Sequence, residues 1–207
     1  MQRKTPSTAD FLWLKEEFQK IHQMNRQVGV ADWCAHSYDF SCPSHLTYPF
    51  QWFWDSCFNA VALSHIDPKR AEAELVSLMK NQHEDGFISH VTFWQRDAFE
   101  EMVSTYAIAF RNKYLTDEMQ PPLLAEAVAA VATRGRGEAF LREILPGVKR
   151  FYDWLDAVRS PYGDGLIRVV QPDETGIDHS PVWDEIMNIQ DEEHESWTRG
   201  WHSICDP

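Results

Sequence analysis

A chain of 207 residues with a formal net charge of −13 lacks the clustered Lys and Arg needed to grip a phosphate backbone or an anionic membrane surface, which argues against both as partners. Hydrophobic residues make up 43% and charged residues 25%, as in an ordinary globular domain, and no run of about 18 apolar residues could cross a membrane. The start, MQRKTPSTADFLWLKEEF, lacks the apolar centre of a signal peptide, so a cytoplasmic location is expected. Cys34, Cys42, Cys57 and Cys205 are scattered without CxxC spacing and read as free thiols.

A first helix is predicted over 8–26, capped by Ser7 or Thr8, with Phe11, Leu14, Phe18 and Ile21 on one face. Residues 28–50 read as loop. A second helix starts near Pro49 or Gln51 and ends near His65. A third opens at Asp67-Pro68, buries Ala71, Leu75, Leu78 and Met79, and ends before HEDGF, where Gly86 permits a turn. Further helices are predicted over about 97–113, within QPPLLAEAVAAVATRG up to Gly135, and over 138–158, with a kink or break at Pro146. A long loop follows, with a short strand at 166–170, then a last short helix over 182–190. The pattern holds neither a strand ladder nor a repeat. The expected fold class is all-α, a set of helical hairpins of unequal length. Their long loops carry the Trp, His, Gly and Asp residues, which favours a toroid with a pocket at one end.

The stretch YPFQWFWDSCF, residues 48–58, holds six aromatic residues around one carboxylate, Asp55. Sugars stack their C–H faces on flat rings, and nine tryptophans supply many. Helical spacing puts Trp52, Asp55 and Asn59 on one face, with Tyr48 just before it; the plainer reading makes Asp55 a helix cap. In QHEDGFISHVTFW a glycine turn precedes Phe87, His90 and Trp94, and His90 reads equally well as a satisfied loop histidine. Asp164 in YGDGLI is too isolated for a calcium loop. DETGIDHSPVWDE packs five acids into thirteen positions, with no Lys or Arg from 173 to 195. Most of these acids read as a solvated face. Asp178 differs, being set among Gly176, His179, Pro181 and Trp183, where like charges and desolvation would keep it protonated and able to donate a proton. GxSxG, HExxH, phosphate-binding and dinucleotide motifs are absent.

YPFQWFWDSCFNAVALSHIDPKRAEAELVSLMKNQHEDGFISH, QPP at 120–122 and GIDHSPVWD together resemble glycoside hydrolase family 63, in its bacterial mannosylglycerate and glucosylglycerate hydrolase branch. The resemblance implies an (α/α)6 toroid and inverting hydrolysis of a small glycoside. It places the general acid on Asp178 and sugar contacts on Tyr48, Trp52, Asp55 and Gln120. His90 and Trp183 line the pocket by the same correspondence. No metal or organic cofactor is implied. Members of the branch are about twice as long, with the catalytic Glu base well downstream of the acid. Glu185, Glu192, Glu193 and Glu195 do not match its context. Residues 1–207 are therefore expected to form the N-terminal portion of one catalytic domain, inactive alone, with an apolar face left for self-association or for the missing half. The competing readings are a non-catalytic sugar-binding or interaction module on the same fold and a toroidal polysaccharide lyase.

Overall fold

In the computed structural model, residues 7–95, 110–177 and 180–183 are described. Helix α1 (Thr8–Met24) begins with a reciprocal capping box between Ser7 and Asp10. Its apolar stripe is not buried as a stripe: Phe11, Leu14 and Ile21 stay 61%, 57% and 52% exposed. Only its C-terminal half reaches the body, through Phe18 and the buried His22, whose rings lie 4.0 Å apart.

Residues 28–50, expected as loop, instead begin with an antiparallel hairpin. Strand β1 (Arg26–Val30) pairs with β2 (Ser37–Ser41), with Val30 opposite Ser37 and Arg26 opposite Ser41. Arg26 donates two hydrogen bonds to Asp39, its diagonal neighbour across the ladder. Tyr38 and Phe40 turn inward onto Ala31, Cys42 and Trp94.

A second, four-stranded sheet has the order β3 (Gln51–Trp52), β4 (Val91–Thr92), β6 (Leu115–Thr116), β5 (Phe110–Asn112), all antiparallel. The expectation of an all-α chain is thereby corrected to a mainly helical fold with two small sheets. The helix predicted over 97–113 falls mostly outside the described residues, and its described end is strand β5.

Helix α2 (Phe53–Ser64) starts later than expected, because Gln51 and Trp52 are taken into the sheet. Helix α3 (Pro68–Met79) starts as predicted: Asp67 accepts from the Arg70 amide and Pro68 fills the first turn. Helix α4 (Leu124–Ala132) and helix α5 (Glu138–Trp154) complete the bundle. Pro146 does not break α5, which runs on into a π-helical turn at Leu155–Arg159. The strand expected at 166–170 is irregular backbone, and of the final helix only one 3-10 turn, Pro181–Trp183, lies within the described residues.

These four helices share one core built from Phe53, Leu63, Leu75, Leu78, Leu124, Val128, Phe140, Ile144 and Phe151. Phe151 meets Phe53 at 5.1 Å between centroids, joining α5 to the first turn of α2. Phe151→Ala is expected to cost about 3–5 kcal/mol, read as a lower urea midpoint at unchanged slope. Beneath this core, Glu74 of α3 is fully buried. It accepts from the Ser41 amide at 2.7 Å and from the Ser56 hydroxyl at 2.6 Å, tying β2, α2 and α3 together.

Candidate active site

The site is organised around the N-terminus of α2. Trp52 stands at the N-cap position but has no side chain able to accept a hydrogen bond. The leading amides of the helix are satisfied from other segments. Phe53 donates its N–H to the His90 carbonyl at 2.9 Å, and Trp54 donates to Gln120 Oε1 at 2.9 Å. His90 in turn donates its amide to the Glu118 carbonyl at 2.8 Å. The start of α2, the 90–92 strand and the 118–120 segment are thus laced together by one set of bonds.

Trp52, as part of β3, does not share a helical face with Asp55. Its ring meets Tyr48 edge-on at 5.9 Å and His90 at 5.4 Å, giving a row Tyr48–Trp52–His90. Asp55 lies in the first turn of α2, where the helix dipole favours a carboxylate. Burial nevertheless raises its pKa from the ordinary value. Phe53, Cys57 and Ala60 face the core. Asn59 does not read a ligand from this face: its Nδ2 donates to the Ser41 carbonyl at 2.8 Å. Phe58, from the same aromatic run, is exposed.

His90 is only 3% exposed, so it backs Trp52 rather than presenting its ring to solvent. Its Nδ1 lies 2.8 Å from Thr116 Oγ1 and its Nε2 lies 3.4 Å from Glu118 Oε2. Burial pulls its pKa down to about 3. The ring is therefore neutral at ordinary pH, and the contact with Glu118 is a polar contact rather than an ion pair. Gln120 is also buried, with Oε1 committed to α2.

The turn before the proposed acid packs onto this frame. Gly176 adopts φ +74°, and a Cβ there would overlap the Trp54 ring. Trp183 donates its Nε1–H to the Ile177 carbonyl at 3.0 Å. Asp178 and His179 lie outside the described residues. Asp164 is engaged by Arg168 at 3.0 Å through Nη1 and by the Leu166 amide at 3.1 Å, which pulls its pKa down to about 2.

Two residues escaped sequence reasoning. Glu174, read with its neighbours as part of a solvated acidic face, is 2% exposed and bound by both Nη atoms of buried Arg159, at 2.9 and 2.6 Å. The absence of Lys or Arg from 173 to 195 hid the pairing, because the partner lies fifteen residues upstream.

A family model for the mannosylglycerate hydrolase MGH1-like glycoside hydrolase domain matches residues 48–203. The chain belongs to this family. It is 34% identical to a mannosylglycerate hydrolase of Thermus thermophilus over 156 residues, which is 72% of this chain and 38% of that protein. It is 33% identical to a glucosylglycerate hydrolase of Mycolicibacterium hassiacum over 155 residues, 67% of this chain and 35% of that one. The crystal structure of a GH63 mannosylglycerate hydrolase from Thermus thermophilus in complex with glucose superposes with a TM-score of 0.69 at 30% identity, covering 92% of this chain and 47% of that one. The complex with Tris and D-glycerate gives 0.67 at 28%, covering 84% and 40%. This member of the family therefore spans less than half the length of the relatives it matches. No helix among the described residues is long and apolar enough to cross a membrane.

Proposed function

We propose that residues 1–207 form the N-terminal portion of an (α/α)6 glycosidase catalytic domain and carry the sugar-binding and proton-donating half of an inverting site. The observation that carries this reading is the convergence at the start of α2: Trp52 and Asp55, the Gln120 amide, and the Gly176–Ile177 turn directly preceding Asp178. Trp52 with Tyr48 forms the stacking platform, and His90 fixes it from behind. Asp55 and the Gln120 Nε2 hold hydroxyls, and Trp183 flanks the pocket. Asp178 protonates the glycosidic oxygen. Water is activated from the opposite face by a carboxylate roughly 6.5–9.5 Å away, a separation that leaves room for it. We place that base outside these 207 residues, because Glu185, Glu192, Glu193 and Glu195 do not match the context the resemblance implies for it. The substrate is a small cytoplasmic glycoside such as mannosylglycerate or glucosylglycerate, and the chemistry needs no metal.

The test is product analysis by proton NMR with both glycosides. The purified chain is expected to bind them without appreciable turnover, and Asp178→Asn to leave that binding unchanged. Hydrolysis at a rate near that of the longer relatives would overturn the placement of the base. Trp52→Ala is expected to weaken binding about tenfold, a loss of about 1.4 kcal/mol, read by calorimetric titration.

A further inference from the structure

The Arg159–Glu174 pair joins two parts of the candidate site that are otherwise far apart in sequence. Glu174 Oε1 receives Arg159 Nη2 and the Met119 amide, the latter at 3.2 Å. Oε2 receives Arg159 Nη1 and the Val170 amide, the latter at 2.7 Å. Four donors thus converge on one carboxylate, leaving it fully hydrogen-bonded in a place where an unpaired charge would be costly. Arg159 is itself fixed: its guanidinium lies over the Trp154 ring at 5.6 Å, at the end of α5. Met119 adjoins Gln120, whose side chain holds the first turn of α2. Two residues beyond Glu174, Gly176 rests on Trp54.

We infer that Glu174 is a positioning residue of the sugar site: clamped by Arg159, it seats the 171–177 turn on Met119 and Trp54 and sets the register between that turn and Gln120. This deepens the glycosidase reading and rests on it. A charge-assisted clamp resists displacement better than apolar contact, because each bond fixes direction as well as distance. The turn is short and irregular, with only one 3-10 turn of its own at Pro172–Thr175, so its placement depends on this anchor.

The experiment compares Glu174→Gln with the double variant Arg159→Leu/Glu174→Leu by amide hydrogen exchange and by fluorescence titration with mannose and glucose. Gln keeps the volume and packing of Glu but not its charge-assisted bonds, so a purely space-filling role would survive it. The double variant leaves no uncompensated buried charge and so guards against loss of the fold. In both, exchange at 118–120 and 170–177 is expected to rise about tenfold or more while the β1–β2 hairpin keeps its protection. Hexose affinity is expected to fall about tenfold. Wild-type exchange in these segments, or unchanged hexose affinity in both variants, would overturn the inference. If the wild-type chain binds neither hexose, the glycosidase reading fails, and the exchange pattern alone decides whether Glu174 anchors the turn.

Discussion

Gly176→Ala is expected to abolish measurable hexose binding while the helical core stays folded. Two costs meet at this position. The left-handed conformation, φ +74°, costs a non-glycine residue about 1–2 kcal/mol. The new methyl would also enter the Trp54 ring, which packs on the core and, through its backbone amide, holds Gln120. A rigid ring cannot yield as a flexible side chain would, and overpacking of this kind costs about 1–3 kcal/mol. Gly163 supplies the control. It has a similar φ of +65°, but nothing lies within 4 Å of its missing Cβ. Gly163→Ala should therefore show the conformational cost alone and bind hexose normally. Equal behaviour of the two variants in titration and thermal melts would mean that Trp54 does not support the turn.

Stability is expected to peak near pH 6.5, and Glu74→Gln to remove the fall on the alkaline side. Burial pushes Glu74 up to about 8, against the hydrogen bonds from Ser56 and Ser41 and the nearby Arg70, and with the nearby Asp39. Between about 4.5 and 8 the native state keeps a proton that the unfolded chain has released. This contribution is whole below 4.5 and gone above about 8, so stability falls as pH rises through that window, by up to about 1.4 kcal/mol per unit. Buried His22 and His90 act in the opposite sense. Their pKa values are drawn down to about 4 and about 3, so below 6.5 the unfolded chain takes up protons that the native state refuses. Their contribution is lost as pH falls. Asp55, raised by burial, works in the same direction as Glu74, and His83, lowered by burial, in the same direction as the other histidines. Two strongly shifted histidines outweigh the carboxyl groups below 6.5, and Glu74 acts largely alone above it. Urea titrations at intervals from pH 5 to 9 measure the curve; parallel curves for wild type and Glu74→Gln above pH 6.5 would refute the assignment.

How far the sequence discloses the fold depends on how local each signal is. Asp67-Pro68 is a complete helix start within two residues, and α3 begins there. The stripe of α5 is equally legible, because Ile144, Val148 and Phe151 recur at helical spacing and are buried. The strands are not legible in this way. Trp52 continues an aromatic run that looks helical, yet β3 has only two residues and exists because Thr92 and Val91 lie opposite it. No period can be read from two residues. The β1–β2 hairpin hides behind Gly29 and a six-residue connection, and its pairing is fixed by Tyr38 packing over Gly29 from the opposite strand. Burial is likewise a tertiary fact. The face carrying Phe11 and Leu14 is correctly apolar, but it lies in solvent. At the candidate site, the motifs named Tyr48, Trp52, Asp55, His90 and Gln120, and the structure brings their segments together. It also shows that Gln120 and His90 brace the start of α2, a role without a sequence signature because its partners are backbone atoms.

The most direct test of the central claim is calorimetric titration of the chain with mannosylglycerate and glucosylglycerate, alongside Asp55→Asn. One-to-one saturation by at least one glycoside, lost in the variant while its melting curve is kept, is the predicted result. Absence of saturation with both, or binding that Asp55→Asn leaves intact, would contradict a sugar site at the start of α2.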